Sequence, residues 1–322
     1  MDGSLPDDEA FWAGDRLRWV AGGLDGSFSH HAASNPKMED VRKLIHLLAK
    51  HSRKPKRLTR KELYNRIVAL DILGMIDAVL EEVRNHPGIR PQTLFDEAVW
   101  MVKHAAHRNV VKFGIALLGL FRNEHVKDLL LAIGRHEEFT LYAAVAIQNG
   151  MENANDVLFE LAKRVHGWGK IHIVERRQPN RPEIRDWLLR HGCRNSVMNE
   201  YLACICARNG DLRQALSADP IDDELFQGAT DIIEALINGG PAEDIDDYEH
   251  APQALADYVR LADVMSVTVN HLAVLIRIRD FLEQEDERWD MRLSSYWNGA
   301  LRSGILEACR HECCHKGRPI RR

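Results

Sequence analysis

Residues 166–178, with the sequence HGWGKIHIVERRQ, hold the densest group of polar and aromatic side chains in the chain. His172, Glu175 and Arg176 follow one another at spacings of three and one, so one face of a helix presents an imidazole, a carboxylate and a guanidinium together. Such a face can exchange a proton or bind a charged group. Glycines on both sides of Trp168 let a ligand or a neighbouring helix approach the backbone closely.

We therefore predict a binding site in this segment and in the helical hairpin that follows it. The predicted binding residues are Trp168, His172, Glu175, Arg176, Asn199 and Glu200. In a stack of hairpins the last two can face the same surface as the first four. The alternative is structural: Glu175 and Arg176 pair between hairpins, and Trp168 fills the stack. We assign no catalytic residue.

A second group of chemically active side chains lies at residues 309–315. It consists of Cys309, His311, Cys313, Cys314 and His315. Thiolate and imidazole ligands suit zinc or copper, and a spacing of four residues aims two thiols at one ion. A structural zinc site pairs two separated ligand clusters, however, and Cys204 and Cys206 lack the usual spacing. We predict no metal site and no cofactor.

Residues 50–61, KHSRKPKRLTRK, concentrate seven lysines and arginines that can meet phosphates. The stretch has no interleaved aromatic side chains for base stacking, so we predict a solvated loop between helices. The sequence also lacks a dinucleotide-binding fingerprint, a phosphate-binding loop, a nucleophile elbow and an H-E-x-x-H motif. The sequence therefore lacks the usual signatures of nucleotide-dependent and hydrolytic enzymes.

These groups must be positioned by helices, because apolar residues recur at helical spacing between short joints of glycine and proline. The clearest segments are 94–107, 110–121, 125–136, 139–149, 155–166, 169–178, 183–191 and 196–209. They pair into hairpins with a period of about thirty residues. One hairpin cannot bury both of its apolar faces, so neighbours must stack. The predicted fold is all-α: an α-solenoid of stacked antiparallel helical hairpins, HEAT-like or armadillo-like, whose second helices form a concave face.

We predict three parts: an N-terminal helical segment at 1–90, the repeat array at 91–240 and a C-terminal helical segment at 241–322. The acidic joint at 239–252 marks the second boundary. Gly150, Gly192 and Gly210 are predicted as left-handed C-terminal caps. Asn195 and Asp222 are predicted as N-terminal caps.

The composition of the 322-residue chain limits its partners. A net charge of −5 gives no basic field that would attract nucleic acid or an anionic membrane. The first residues do not resemble a signal peptide, and the longest weakly charged stretch, 264–278, is too short to span a bilayer. Six cysteines in a chain of this kind are expected to be reduced thiols. We expect a cytoplasmic protein without a membrane or nucleic-acid partner.

Three stretches, HGWGKIHIVERRQP, IRDWLLRHGC and NSVMNEYLACICARNGDL, resemble a bacterial helical-repeat family whose members are often named limonene hydroxylase. The resemblance covers about residues 90–215. It implies oxidation of a monoterpene with a nicotinamide partner, at the six binding residues named above. A second analogy is to the alkylpurine DNA glycosylases built from HEAT-like repeats, whose basic concave face carries aromatic residues and an acidic residue.

The functional prediction is a helical-repeat binding or scaffold protein that holds a protein or peptide partner on its concave face near HGWGKIHIVE. A small molecule is an alternative ligand. The alternative functions are an oxidoreductase of the family named limonene hydroxylase and a HEAT-like DNA base glycosylase. Whether the chain is an enzyme is left open by the sequence.

Overall fold

The structure is a computed structural model. It describes residues 4–15, 17–31, 36–122, 124–218, 220–265, 267–284, 289 and 299–316. Every regular element in these ranges is a helix, which confirms the prediction of an all-α protein. None of these helices combines the length and the apolar character needed to span a bilayer.

The internal contacts of the chain divide it into two compact units, Met1–Arg177 and Gln178–Arg322. The boundary between the units falls inside the segment 91–240 that the sequence predicts as one array. The division into parts at about residues 90 and 240 stays a prediction.

The first unit contains eleven α-helices in its described residues. They are α1 (Asp8–Phe11), α2 (Gly23–His31), α3 (Met38–Arg53), α4 (Arg57–Val68), α5 (Ile76–Asn85), α6 (Pro91–His104), α7 (Arg108–Leu118), α8 (Lys127–Ile133), α9 (Glu137–Gly150), α10 (Ala154–Ala162) and α11 (Gly167–Arg176). The six segments predicted between 94 and 178 each overlap one helix, from α6 to α11. Apolar periodicity therefore located these helices correctly.

The basic stretch 50–61 is helical over most of its length, so the prediction of a loop is wrong. Helix α3 continues to Arg53 and α4 begins at Arg57, which leaves 54–56 as the joint. Both helices bury an apolar stripe, with Leu48 in α3 and Leu63 in α4. The basic side chains are compatible with helix because most of them lie on the exposed side.

Three helices of the first unit form what we call the central layer: α7 packs against α9, and α9 packs against α11. Most residues of α7 and α9 are buried. One reason is that residues 4–15 and 17–31, here called the N-terminal segment, pack on this layer. Helix α2 packs on α9 and α11, and Asp7 and Asp8 contact Arg108 at the start of α7.

The second unit contains seven α-helices in its described residues. They are α12 (Pro182–Trp187), α13 (Ala203–Gly210), α14 (Leu212–Ser217), α15 (Asp223–Asn238), α16 (Ala251–Ala262), α17 (Val269–Gln284) and α18 (Gly299–Lys316). Helix α15 packs between α13 and α17, and α16 packs between α14 and α18. A π-helical turn, Leu188–Gly192, follows α12, and a 3-10 turn, Asn199–Tyr201, precedes α13.

The glycines predicted as left-handed caps have another role. Gly150, Gly192 and Gly210 are not among the described glycines with positive φ, and the left-handed residue after α13 is Asp211, with φ 58°. A Cβ atom on Gly210 would lie 2.6 Å from the side chain of Leu189. The prediction of left-handed caps is therefore wrong, because these glycines permit close packing instead.

Candidate functional site

Helix α11 carries four of the predicted binding residues and lies close to α9. It begins at Gly167, whose φ of 51° is in the left-handed region that favours glycine. A Cβ atom on Gly169 would lie 2.7 Å from the Oγ1 atom of Thr140 in α9. The close helix approach predicted from the two glycines is therefore present at Gly169.

Trp168 joins α11 to α2. Its side chain is 7% exposed, and a Cβ atom on Gly26 of α2 would lie 2.3 Å from the indole ring. His30 follows Gly26 by one helical turn, so the same contact brings His30 to α11. The ring of His30 lies 5.7 Å from the ring of Trp168 and 5.9 Å from that of His172, measured between centroids.

The resulting cluster contains His30, Trp168, His172, Glu175 and Arg176. The Nε2 atom of His30 lies 3.4 Å from Oε1 of Glu175. One donor atom from each of His30, His172 and Glu175 can be chosen so that all three lie within 4.8 Å of one another. The structure thus brings together two imidazoles and a carboxylate, over the indole of Trp168.

Burial changes the protonation of two members of this cluster. Burial lowers the pKa of His172 to about 3, and the nearby Arg176 and His30 act in the same direction. The side chain of His172 is 1% exposed, and neither ring nitrogen has a hydrogen-bond partner within the described part of the chain. Burial also raises the pKa of Glu175 to about 7, against the opposing effect of Arg176. At neutral pH His172 is therefore an uncharged imidazole, and Glu175 is close to its midpoint.

Arg176 contacts its own helix. Its Nη1 atom donates a hydrogen bond to the backbone oxygen of His172 at 2.9 Å and lies 3.4 Å from Oε2 of Glu175. The two carboxylate oxygens of Glu175 therefore face different partners, His30 and Arg176. The indole of Trp168 fills the contact between α11 and α2, as the structural alternative predicts. The same alternative predicts a Glu175–Arg176 ion pair between hairpins, but this ion pair lies within α11.

The other two predicted binding residues, Asn199 and Glu200, belong to the second unit and have local partners there. The Oδ1 atom of Asn199 accepts a hydrogen bond from the backbone nitrogen of Asn195 at 3.0 Å. The Oε1 atom of Glu200 accepts one from Nδ2 of Asn238 at 3.3 Å. Their place in a common site with the residues of α11 stays a prediction.

His30 is the member of the cluster that sequence reasoning missed. It lies far from α11 along the chain, and no periodic pattern links the two segments. The local signal is a set of small residues, Gly22, Gly23 and Gly26, since a Cβ atom added to any of them would come within 4 Å of another part of the first unit. Such glycines indicate close packing, but they do not name the partner.

Arg108 and Lys112 of α7 hold the N-terminal segment beside this cluster. Arg108 forms ion pairs with Asp7, at 3.2 Å, and with Asp8, and its guanidinium lies 3.7 Å from the ring centre of Phe11. The guanidinium is 3% exposed, so these contacts form in a desolvated environment.

Lys112 makes the second link between the layer and the segment. Its Nζ atom lies 2.7 Å from Asp25 of α2 and also contacts Glu138 of α9. The backbone nitrogen of Gly22 donates a hydrogen bond to Glu138 at 3.1 Å. Burial lowers the pKa of Lys112, but the two carboxylates outweigh burial and raise it above its ordinary value. The lysine therefore stays charged between them.

The thiols near residue 309 differ in exposure. Cys309 is buried, Cys313 is half-buried and Cys314 is exposed. Burial raises the pKa of Cys309 to about 12, so its thiol is protonated at neutral pH. The side chain of His315 lies outside the described residues. The absence of a metal here therefore stays a prediction.

Comparison of the chain with protein-family models, with curated proteins and with solved structures finds no match. The resemblance to the family named limonene hydroxylase therefore stays an expectation. The functional interpretation rests on the geometry of the first unit.

Proposed function

We propose that the chain is a helical-repeat binding protein that holds a protein or peptide partner at the exposed edge of the cluster on α2 and α11. The observation that carries the proposal is the partial exposure of three ionisable side chains there. His30 is 20% exposed, Glu175 23% and Arg176 28%. They lie above a buried base of Trp168 and His172, so charge is displayed on a rigid support.

The composition of this edge is that of a recognition surface. Arginine and aromatic side chains contribute most of the binding energy in many interfaces, especially where neighbouring groups exclude water. A partner with a charged side chain matches this surface.

The packing of α7 to α11 supports the helical-repeat part of the proposal. The second helices of the predicted hairpins, α7, α9 and α11, lie side by side, and α8 and α10 both pack against α9. Stacked hairpins produce this order of contacts. The N-terminal segment covers part of α7, α9 and α11, which favours the edge over the centre of the layer as the site for a partner.

The test is a comparative pull-down from the source cell with three forms of the protein as bait: the parent chain and two variants. Arg176→Ala removes a partly exposed charge and should reduce capture of a specific partner at least about tenfold. Arg164→Ala is the control, because Arg164 is an exposed arginine of the same unit whose ion pair, with Glu160, lies on the surface. Retention of every partner by Arg176→Ala would refute the proposed site.

One observation favours a second candidate, an oxidoreductase of the kind named limonene hydroxylase. Two histidines and one carboxylate are the ligand set of many non-haem iron oxygenases, and His30, His172 and Glu175 supply this set. The test is whether the purified protein, supplied with Fe²⁺, dioxygen and a reduced nicotinamide cofactor, oxidises limonene to an alcohol and water. No product under these conditions would remove this candidate. The base-glycosylase alternative stays a prediction.

A further inference from the structure

We propose that His30 of α2, together with His172 and Glu175 of α11, binds one divalent first-row transition-metal ion of the Zn²⁺ or Fe²⁺ type. The inference goes beyond the proposed partner binding and does not rest on it, since the ion is recognised by three donor atoms of the first unit alone.

The distances between the donor atoms suit such an ion. Metal–ligand bonds to histidine nitrogen and carboxylate oxygen are about 2.0–2.2 Å, so two donors of one ion lie at most about 4.4 Å apart. The Nε2 atom of His30 and Oε1 of Glu175 are already 3.4 Å apart, and all three donors lie within 4.8 Å. The donors that lie farthest apart must therefore move closer when the ion binds.

His172 provides an independent reason for a ligand. It is buried, and its ring nitrogens have no hydrogen-bond partner among the residues with described positions. A buried polar group without a partner carries a free-energy penalty, which a bond to an ion would remove.

The carboxylate of Glu175 is also oriented to bind the ion. Arg176 lies beside Oε2, which leaves Oε1 on the side of His30. A group that holds the second oxygen of a carboxylate ligand fixes its direction, as outer-shell partners do in known metal sites. Because His30 and Glu175 are partly exposed, an ion can enter from solvent, and water can complete its coordination.

The experiment uses the full chain carrying Cys313→Ser and Cys314→Ser, because the half-buried thiol and the exposed thiol can bind the same ions. After removal of metal with a chelator, Co²⁺ is followed by its visible absorption and Zn²⁺ by titration calorimetry. We expect one ion per chain and a cobalt spectrum without the charge-transfer band of a cobalt–thiolate bond. Binding of no ion, or a spectrum dominated by thiolate, would overturn the proposal.

Two ligand variants and two controls locate the ion. His30→Gln and Glu175→Gln, at partly exposed positions, should each weaken Zn²⁺ binding at least about tenfold. His104→Gln, at an exposed histidine outside the cluster, should bind as the parent does. Arg176→Ala removes the group that holds Oε2 of Glu175, so it should weaken Zn²⁺ binding less than the ligand variants do, while it loses the proposed partner. Unchanged affinity in both ligand variants would overturn the site.

A second measurement covers the case in which a ligand variant does not fold. An ion held between α2 and α11 ties the N-terminal segment to the central layer. Zn²⁺ should therefore slow amide hydrogen exchange of α2 in the parent protein. Equal exchange of α2 with and without saturating Zn²⁺ would contradict a ligand on that helix.

Discussion

Trp168 is a residue of α11, and its indole packs against α2. Replacement by alanine should leave a cavity at this contact and lower the free energy of unfolding by about 3–5 kcal/mol. Trp168→Phe keeps an aromatic ring and should cost less. Chemical denaturation of the two variants measures the difference. A loss below about 1 kcal/mol in Trp168→Ala would mean that the indole contributes little to the packing of the two helices.

Gly26 lies on the α2 side of the contact with Trp168 and allows a second test of this contact. A Cβ atom there would lie 2.3 Å from the indole of Trp168, so Gly26→Ala must displace the ring or the helix. We expect a loss of about 1–3 kcal/mol, as for other overpacked sites. Gly304→Ala is the matched control, because a Cβ atom added there would meet nothing within 4 Å and helix propensity favours alanine by about 1 kcal/mol. Thermal unfolding should shift in opposite directions for the two variants.

At this scale the sequence predicted the four members of the cluster that lie on α11 and missed the one that lies on α2. His172, Glu175 and Arg176 were grouped correctly because helical periodicity places them together. His30 was missed because its contact with α11 depends on how α2 packs, which no local pattern encodes. The direction of the Glu175–Arg176 ion pair was also beyond the sequence, since both intrahelical and interhairpin pairs fit the same residue types.

Among the elements, helices were easier to predict than their ends. Asp222 is confirmed as the N-terminal cap of α15, because its side chain accepts a hydrogen bond from the backbone nitrogen of Leu225 at 2.9 Å. Asn195 accepts from the backbone of Val197 and Met198, yet only a short 3-10 turn follows. A polar side chain that satisfies backbone donors in a turn is locally indistinguishable from a helix cap.

Lys112 offers a test of how the N-terminal segment is held. Lys112→Met would leave Asp25 and Glu138 buried without their shared cation. We expect unfolding free energy to fall by about 3–5 kcal/mol, the usual effect of removing one member of a buried ion pair. Lys43→Met is the control, because Lys43 and Glu39 form an exposed pair one turn apart on α3, and exposed ion pairs contribute little to stability. Similar losses in the two variants would contradict a structural role for Lys112.

Glu97 joins three helices of the first unit. From α6 it contacts the Nε2 atom of His51 in α3 at 2.9 Å and accepts hydrogen bonds from Arg60 in α4. Burial of Glu97 raises its pKa, but the hydrogen bonds from His51 and Arg60 outweigh burial and hold the pKa below its ordinary value of 4.5. The charged carboxylate is therefore favoured in the folded state.

This shift gives a pH dependence with a defined sign. A carboxyl group whose pKa is lowered by folding stabilises the protein fully above its unfolded pKa, and this contribution disappears as pH falls through the folded pKa. We expect the stability difference between the parent and Glu97→Gln to be largest at neutral pH and to shrink below pH 4.5. Urea denaturation across this range measures it. A difference that grows on acidification would show that the sign is wrong.

For the whole molecule the sequence predicted the all-α class, and it contained no local signal for the boundary between the two units at residue 177. Apolar periodicity is a local property, and it predicts helices wherever it occurs. The units depend on which helices pack together. For example, α14 packs against α16, although α15 lies between them in the sequence. The boundary predicted from the acidic joint at 239–252 stays a prediction, and Ile245 and Tyr248 within this joint are buried.

The all-helical architecture has a direct spectroscopic consequence. The far-UV circular dichroism spectrum should show a helix fraction well above the average of about one third for globular proteins. The reason is that the described residues form helices joined by short turns. A spectrum dominated by strand would contradict the fold.

The contact between the N-terminal segment and the central layer also sets an order of events during synthesis. Asp7 is made long before Arg108, and Gly22 is separated from Glu138 by 116 positions. At ordinary elongation rates of about 5–20 residues per second, the segment waits on the order of ten seconds for its binding surface. During that interval the ring of Phe11 lacks the guanidinium that lies over it in the folded chain. A nascent chain at this stage therefore lacks the buried ion pairs that hold the segment in the folded protein.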